Sequence, residues 1–246
     1  MNKYYIIIPF ISILFSCKQS GNIQSQFNQI SNNIKLTKNE NRAIDEILNF
    51  YGGNCEYTGG FLTSDGKINK KFIELKISKS DKLYQLEDKL EVPASNIAYR
   101  FYNNLKDEKK SYGKIDVAFI TTDSYKESYS FDIKTLDSIH KKAVLVNKII
   151  DSMKVSKYDF IESLLSNERY GKSKRKLIND LKRMDSIYGK ISSFNSFGYD
   201  TYKTENQMNI IHISGFVRRG EQNHALSLYF DFQSETSEIL KLQGEL

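Results

Sequence analysis

Apolar residues in this chain switch repeatedly between helical and strand spacing, and the order of those switches restricts the fold more than any other feature. Thr37-Lys38-Asn39-Glu40 has the spacing of a capping box, with Thr37 as N-cap and Glu40 reaching back to it. Ala43, Ile44, Ile47, Leu48 and Tyr51 continue at helical spacing, and Gly52-Gly53 ends the run. Ser64-Asp65-Gly66-Lys67 then separates two strand-like segments. Asp-Gly favours a tight hairpin because both central turn residues need positive φ. In the second segment Ile73, Leu75 and Ile77 alternate with Glu74 and Lys76, giving one apolar and one charged face. Pro93 suits an early helical position, and Ile97, Ala98, Phe101, Tyr102 and Leu105 form that helix's apolar face. Ile115, Val117 and Phe119 alternate against Asp116 and Ala118, and a further strand is expected near Tyr129, Phe131 and Ile133. Leu136, Ile139, Ala143, Val146, Ile150 and Met153 mark a long closing helix. Helix, hairpin, helix, two strands, helix is an α+β order, and it defines a first unit at residues 37–153.

Residues 155–246 form a second unit. Phe160, Ile161, Leu164 and Leu165 predict one helix; Leu177, Ile178, Leu181, Met184, Ile187 and Tyr188 predict another. Gly171 lies near the break between them, and Gly189 is placed as a C-cap. Strands follow at "FNSFGYDTYKT", at "NIIHISGFVRR" and "HALSLYFDF" around a Gly220-Glu221-Gln222-Asn223 turn, and at "EILKLQGEL". The expected fold class is therefore α+β, with two small domains. Each has helices packed on an antiparallel sheet, and the second is a cone-like helix-helix-meander. Helices followed by such a meander resemble the nuclear-transport-factor-2-like and cystatin-like folds. Phe160, Leu164-Leu165-Ser166 and Tyr188-Gly189-Lys190-Ile191 also resemble small envelope-protein domains of unknown function. Such folds host enzymes, binders and spacers alike, so the resemblance implies architecture rather than activity. The segment Ser95 to Phe131 is similar to a recurrent module of uncharacterised envelope lipoproteins and brings no catalytic motif.

The N-terminus supplies an address. Met1-Asn2-Lys3 is short and basic, Tyr4 to Phe15 is almost wholly apolar, and Ser16 precedes Cys17. The apolar run has the length of a signal-peptide core and is short for a bilayer span. Leu14, Ser16 and Cys17 resemble the lipobox of a bacterial (Bacteroidota-type) envelope lipoprotein. The alternatives are an uncleaved signal anchor and an ordinary secretory signal. The resemblance implies removal of residues 1–16, then diacylglyceryl and palmitate-type acylation of Cys17. Residues 17–36 would form a flexible tether rich in Ser, Asn and Gln. Each buried methylene contributes about 0.8 kcal/mol and one chain holds only marginally, so several chains would anchor the protein without a transmembrane helix. Lys18-Gln19-Ser20-Gly21-Asn22 lacks the acidic run associated with surface export in such lipoproteins, which points to the periplasmic side of the membrane.

Losing residues 1–16 removes one lysine and lowers the net charge from +6 to +5. Acids and bases are interspersed, with no basic stripe for nucleic acid. Acylation of Cys17 would leave Cys55 as the single thiol, so packing rather than a disulfide must hold the fold.

No HExxH, paired Cys/His, calcium-loop, serine-elbow or phosphate-loop pattern occurs, so no catalytic residue, metal or cofactor is expected. His212 lies mid-strand, with Asp200 and Asp231 as nominal partners for acid–base work. The plainer expectation is a half-buried or surface strand residue. His140 sits on the long helix, and His224 at a hairpin edge. Tyr199, Tyr202, Phe216 and Tyr229, with His212, are the candidate ligand contacts at a cone mouth; strand packing explains the same aromatics. Phe160 to Lys190 carries eight basic and four acidic residues. Lys172, Lys174, Arg175 and Lys176 concentrate that excess at a helix start, where the dipole prefers acids. They are candidate contacts for an anionic envelope partner, or a solvated helix face. The functional expectation is a non-enzymatic binding or accessory module, meeting the membrane through Cys17 and a protein, peptide or anionic partner through its folded part. The alternatives are a small cavity-based hydrolase or isomerase, and a toxin-immunity protein at the membrane.

Overall fold

A computed structural model describes residues 35–64, 67–120 and 126–244. The leader, Cys17, all but the last two residues of the tether, and the Asp65-Gly66 turn lie outside the described residues. The α+β class is observed as two sheet–helix units.

The first unit opens with helix α1 (Lys38–Tyr51), whose capping box is formed as its sequence predicts. Thr37 Oγ1 accepts from the Glu40 amide at 3.2 Å, and Glu40 Oε2 accepts from the Thr37 amide at 2.7 Å. Strands β1 (Asn54–Ser64) and β2 (Lys67–Ser78) pair antiparallel, and short helix α2 (Asp81–Tyr84) follows. Helix α3 (Glu91–Leu105) then carries the chain back across the sheet, so β3 (Tyr112–Ile120) runs parallel to β2. A helical crossover is what a parallel pair requires, and side-chain alternation does not distinguish it from a hairpin. Strand β4 (Lys126–Asp132) pairs antiparallel with β3, completing the order β1-β2-β3-β4. Ile133, expected in that strand, is instead the first residue of α4 (Ile133–Lys154). Ala118, expected with Asp116 on the face opposite Ile115, Val117 and Phe119, is fully buried.

The second unit has α5 (Tyr158–Leu164), a one-turn α6 (Asn167–Tyr170) and α7 (Lys174–Tyr188), with Gly171 at the break at φ +45. Strands β5 (Ile191–Lys203), β6 (Asn209–Arg219), β7 (Gln222–Asp231) and β8 (Lys241–Gly244) form an antiparallel meander in chain order. Gly189 caps α7, donating to Asp185 O, as its position predicts.

The two units share one body of buried apolar side chains. Helix α3 touches β3 and β4 on one side and β5 on the other. A helix lodged between sheets must be buried nearly all round. Residues 93–98 of α3 are buried without interruption, including the polar Ser95 and Asn96. Asn96 Nδ2 donates to Ser196 O at 2.7 Å, and Ser95 Oγ accepts from the Tyr199 amide at 2.9 Å. Gly198, at φ +139, is the close-approach point: a Cβ there would collide with the Val92 carbonyl oxygen. Fully buried Phe101, Tyr102 and Phe230 each contribute about 1.5–3 kcal/mol through burial, so the shared core holds both sheets to the central helices. No described helix is long and apolar enough to cross a membrane.

Candidate ligand-binding cleft

Where β5 leans on α3 and α4, a cleft of about 370 Å³ opens. That volume falls within the range of small-molecule sites, about 300–1,000 Å³. Helix α3 supplies Asn96, Tyr99, Arg100 and Asn103 at helical spacing, so all four face one side. Helix α4 supplies Ile139, His140, Ala143, Val144 and Asn147; β5 supplies Phe194, Ser196 and Tyr199.

Several polar groups of the cleft are held in place. Tyr99 Oη and His140 Nδ1 share a hydrogen bond of 2.9 Å. Burial raises the Tyr99 phenol to about 12. Burial also lowers His140, Lys109 adds to that effect, and Asp137 opposes it. Both groups are therefore neutral at pH 7. The Arg100 guanidinium lies over the Phe50 ring at 4.0 Å, donates to Asn96 Oδ1 at 2.5 Å and pairs with Glu46 Oε1 at 2.7 Å. Ser95 and Ser196 hydroxyls donate to the Val92 and Ser214 carbonyls and accept from the Tyr199 and Gly198 amides.

Tyr199 is the exception. It is 7% exposed, its ring meets Phe131 edge-on, and its hydroxyl has no hydrogen-bond partner. Burial pushes this phenol far above its ordinary value, and the neighbouring Tyr99 phenol pushes it further. A buried donor without a partner costs roughly 1–3 kcal/mol, and native structures tolerate few of them.

Strand register separates Tyr199 from the other ligand candidates. Tyr199 pairs with Ile213 and faces the core, whereas Asp200 pairs with His212 on the opposite face of the sheet. Alternate residues point oppositely, so His212, Phe216 and Tyr229 share that outer face with Tyr202, and the five do not converge on one mouth. His212 Nδ1 lies 3.0 Å from Asp200 Oδ1, and its ring stacks on Tyr229 at 4.3 Å. Asp231, the other nominal partner, accepts from the Gln233 and Ser234 amides instead. Phe216 meets Phe197, and Tyr202 is 46% exposed.

Lys172, Arg175 and Lys176 are exposed around the start of α7, while Lys174 is half-buried with Nζ 3.5 Å from Glu162 O. The first turn of α7 holds no acid and Ser173 makes no side-chain cap, so basic charge meets the positive end of the dipole there. Cys55 is half-buried on β1, its Sγ 3.6 Å from Glu56 O. Among the described residues, no three His, Cys, Asp or Glu side chains converge as a metal site.

Sequence reasoning missed Asn96, Tyr99 and Arg100, and placed His140 on its helix without a role. The available signal was the polar row Asn96, Tyr99, Arg100 and Asn103 on a helix otherwise built for burial. The chain matches none of the protein-family models, curated proteins or solved structures with which it was compared.

Proposed function

We propose that this chain is a lipid-anchored protein of the bacterial cell envelope, tethered through Cys17 and facing the periplasm, that works as a non-enzymatic binding or accessory module. The folded part takes a small organic ligand in the cleft between α3, α4 and β5. One observation carries this reading: α3, α4 and β5 enclose a cleft of about 370 Å³ in which Tyr99 with His140, and Arg100 with Asn96, are oriented by hydrogen bonds to each other. Apolar walls with a few oriented polar groups are the ordinary make-up of a small-molecule site. The serines nearby are committed to backbone bonds, which suits holding a ligand better than attacking one.

The runner-up is a hydrolase or isomerase using the same cleft. It is favoured by one feature, a neutral histidine at the lining, the kind of group general acid–base chemistry needs. Native mass spectrometry of protein isolated from its own envelope separates the readings. Binding predicts a small-molecule adduct that is lost in Ala143→Trp, which fills the cleft, and recovered unchanged after prolonged incubation. Conversion of that molecule would establish the enzyme reading. Equal adducts in both proteins would contradict the cleft.

A further inference from the structure

Resting on the lipid-anchored reading above, we infer that a lysine-lined groove beside the start of α1 is the face by which the folded part lies against a surface of anionic phospholipid headgroups.

The groove opens where the first residues of β3 and α4 meet β2 and the short 3-10 helix Lys106–Ser111, and it has a volume of about 730 Å³. Lys70, Lys109, Lys110 and Lys134 line it against Asp132 and Asp137, an excess of +2. Lys71 adds charge at the edge, 5.9 Å from the centre of the lining Tyr112 ring. Lys109 is committed to the fold: it donates to Tyr102 Oη at 2.7 Å and lies 3.8 Å from Asp137. The other three lining lysines are exposed. Lys70 Nζ donates to the Lys110 carbonyl oxygen at 2.5 Å, and among the described residues no carboxylate pairs with Lys70 or Lys134. Lys110 meets Asp107 at 3.1 Å, but their side chains are 78% and 96% exposed, so water screens that pair and a phosphate can replace the carboxylate. Exposed ammonium groups gathered around a concavity suit the phosphates of lipid headgroups.

The place where the chain enters the fold selects a membrane as the occupant. Thr37 Oγ1 and Asn39 Nδ2 donate to Glu108 at 2.7 and 2.6 Å, one residue before Lys109. Tyr112, in the groove lining, donates to Glu40 in the first turn of α1. The start of α1 is thereby fastened to the groove's edge, and exposed Lys35 and Lys38 extend the positive charge there. The twenty residues from Cys17 to Leu36 precede this point. A coil of that length has a root-mean-square reach of roughly 25 Å. An acyl anchor on Cys17 would therefore hold the groove close to the headgroups at high effective concentration, so a modest attraction per lysine is enough to turn this face toward them. The basic start of α7 has no such fastening to α1 among the hydrogen bonds of the described residues, which makes it the control surface.

Lysine footprinting on vesicles tests the inference. The mature chain carrying Cys55→Ser is coupled through Cys17 to a maleimide lipid, in vesicles of phosphatidylcholine alone or of phosphatidylcholine with phosphatidylglycerol. Acetylation of each lysine is then followed by mass spectrometry. Lys70, Lys110 and Lys134 should react at least about fivefold more slowly on the anionic vesicles, while Lys172 and Lys176 should react equally on both. High salt should erase the difference. Equal rates at the groove lysines on the two vesicles overturn the inference, as does equal slowing at Lys172 and Lys176. Protection of the groove by added polyglutamate but not by anionic vesicles assigns it to an acidic protein and overturns the inference as well. The maleimide lipid supplies the anchor in every arm, so these failures leave acylation of Cys17 standing. Failure of acylation shows separately, as absence of palmitate from the native protein.

Discussion

The Tyr199 amide donates to Ser95 Oγ at 2.9 Å across 104 residues of sequence, fastening the second sheet to the central helix of the first unit. Ser95 in turn donates to the Val92 carbonyl oxygen, against which Gly198 is pressed. Ser95→Ala leaves a buried amide unsatisfied and should cost about 1–3 kcal/mol. Gly198→Ala adds a clash to a left-handed φ and should cost about 2–5 kcal/mol. Urea unfolding measures both. The double variant should lose less than the sum, because both changes disrupt one contact.

His140 makes the cleft sensitive to acid. Its folded-state value lies below the ordinary 6.5, so the unfolded chain takes up the proton first as pH falls. The contribution to stability is complete above about 6.5 and declines as pH drops toward the folded value, below which it levels off. Protonation also introduces a cation into the cleft, only partly offset by Asp137. Melting curves from pH 7.5 to 5.5 should therefore fall less steeply for His140→Gln than for wild type.

Asp185 anchors the second unit's helices to its sheet. It pairs with Arg219, which also donates to Gly189 O at 2.8 Å, and it accepts from Tyr158 at 2.5 Å and Ser156 at 3.1 Å. Both partners are largely buried, with side chains 3% and 12% exposed. Arg219→Met strands the carboxylate and should cost about 3–5 kcal/mol in denaturant unfolding. Adding Asp185→Leu should restore part of that loss, because a buried apolar pair avoids the desolvation of a lone charge.

The two cysteines should behave differently. Burial, with a smaller push from Glu56, raises the Cys55 thiol to about 12, so little thiolate is present at pH 8. Iodoacetamide should label Cys55 in the folded protein at least about a hundredfold more slowly than in urea. Cys17→Ala should abolish incorporation of labelled palmitate and move the protein from the membrane fraction to the soluble one. Retention in the membrane would contradict acyl anchoring.

Local chemistry in the sequence foretold local structure. The Thr37–Glu40 box, the antiparallel β1–β2 pairing, the Gly189 cap and the β5–β8 meander all follow from neighbouring residues. The parallel β2–β3 pair was not legible, because alternation specifies which face is apolar and not which way the chain returns. The cleft was hidden for a related reason. Tyr99 and His140 meet across 41 residues, and Tyr199 joins them only because Gly198 lets β5 close on α3. Tyr199 and Tyr202, three apart on one strand, fall on opposite faces by alternation, but the sequence does not say which face meets the core.

Occupancy of the cleft is measured most directly by a thermal shift against small molecules extracted from the native envelope. Wild-type protein should melt higher in the presence of the extract, by RT ln(1 + [L]/Kd) expressed as a temperature shift. Ala143→Trp, with its cleft filled, should melt at the same temperature with and without it. Equal shifts in the two proteins, or none in the wild type at any extract concentration, would contradict the account.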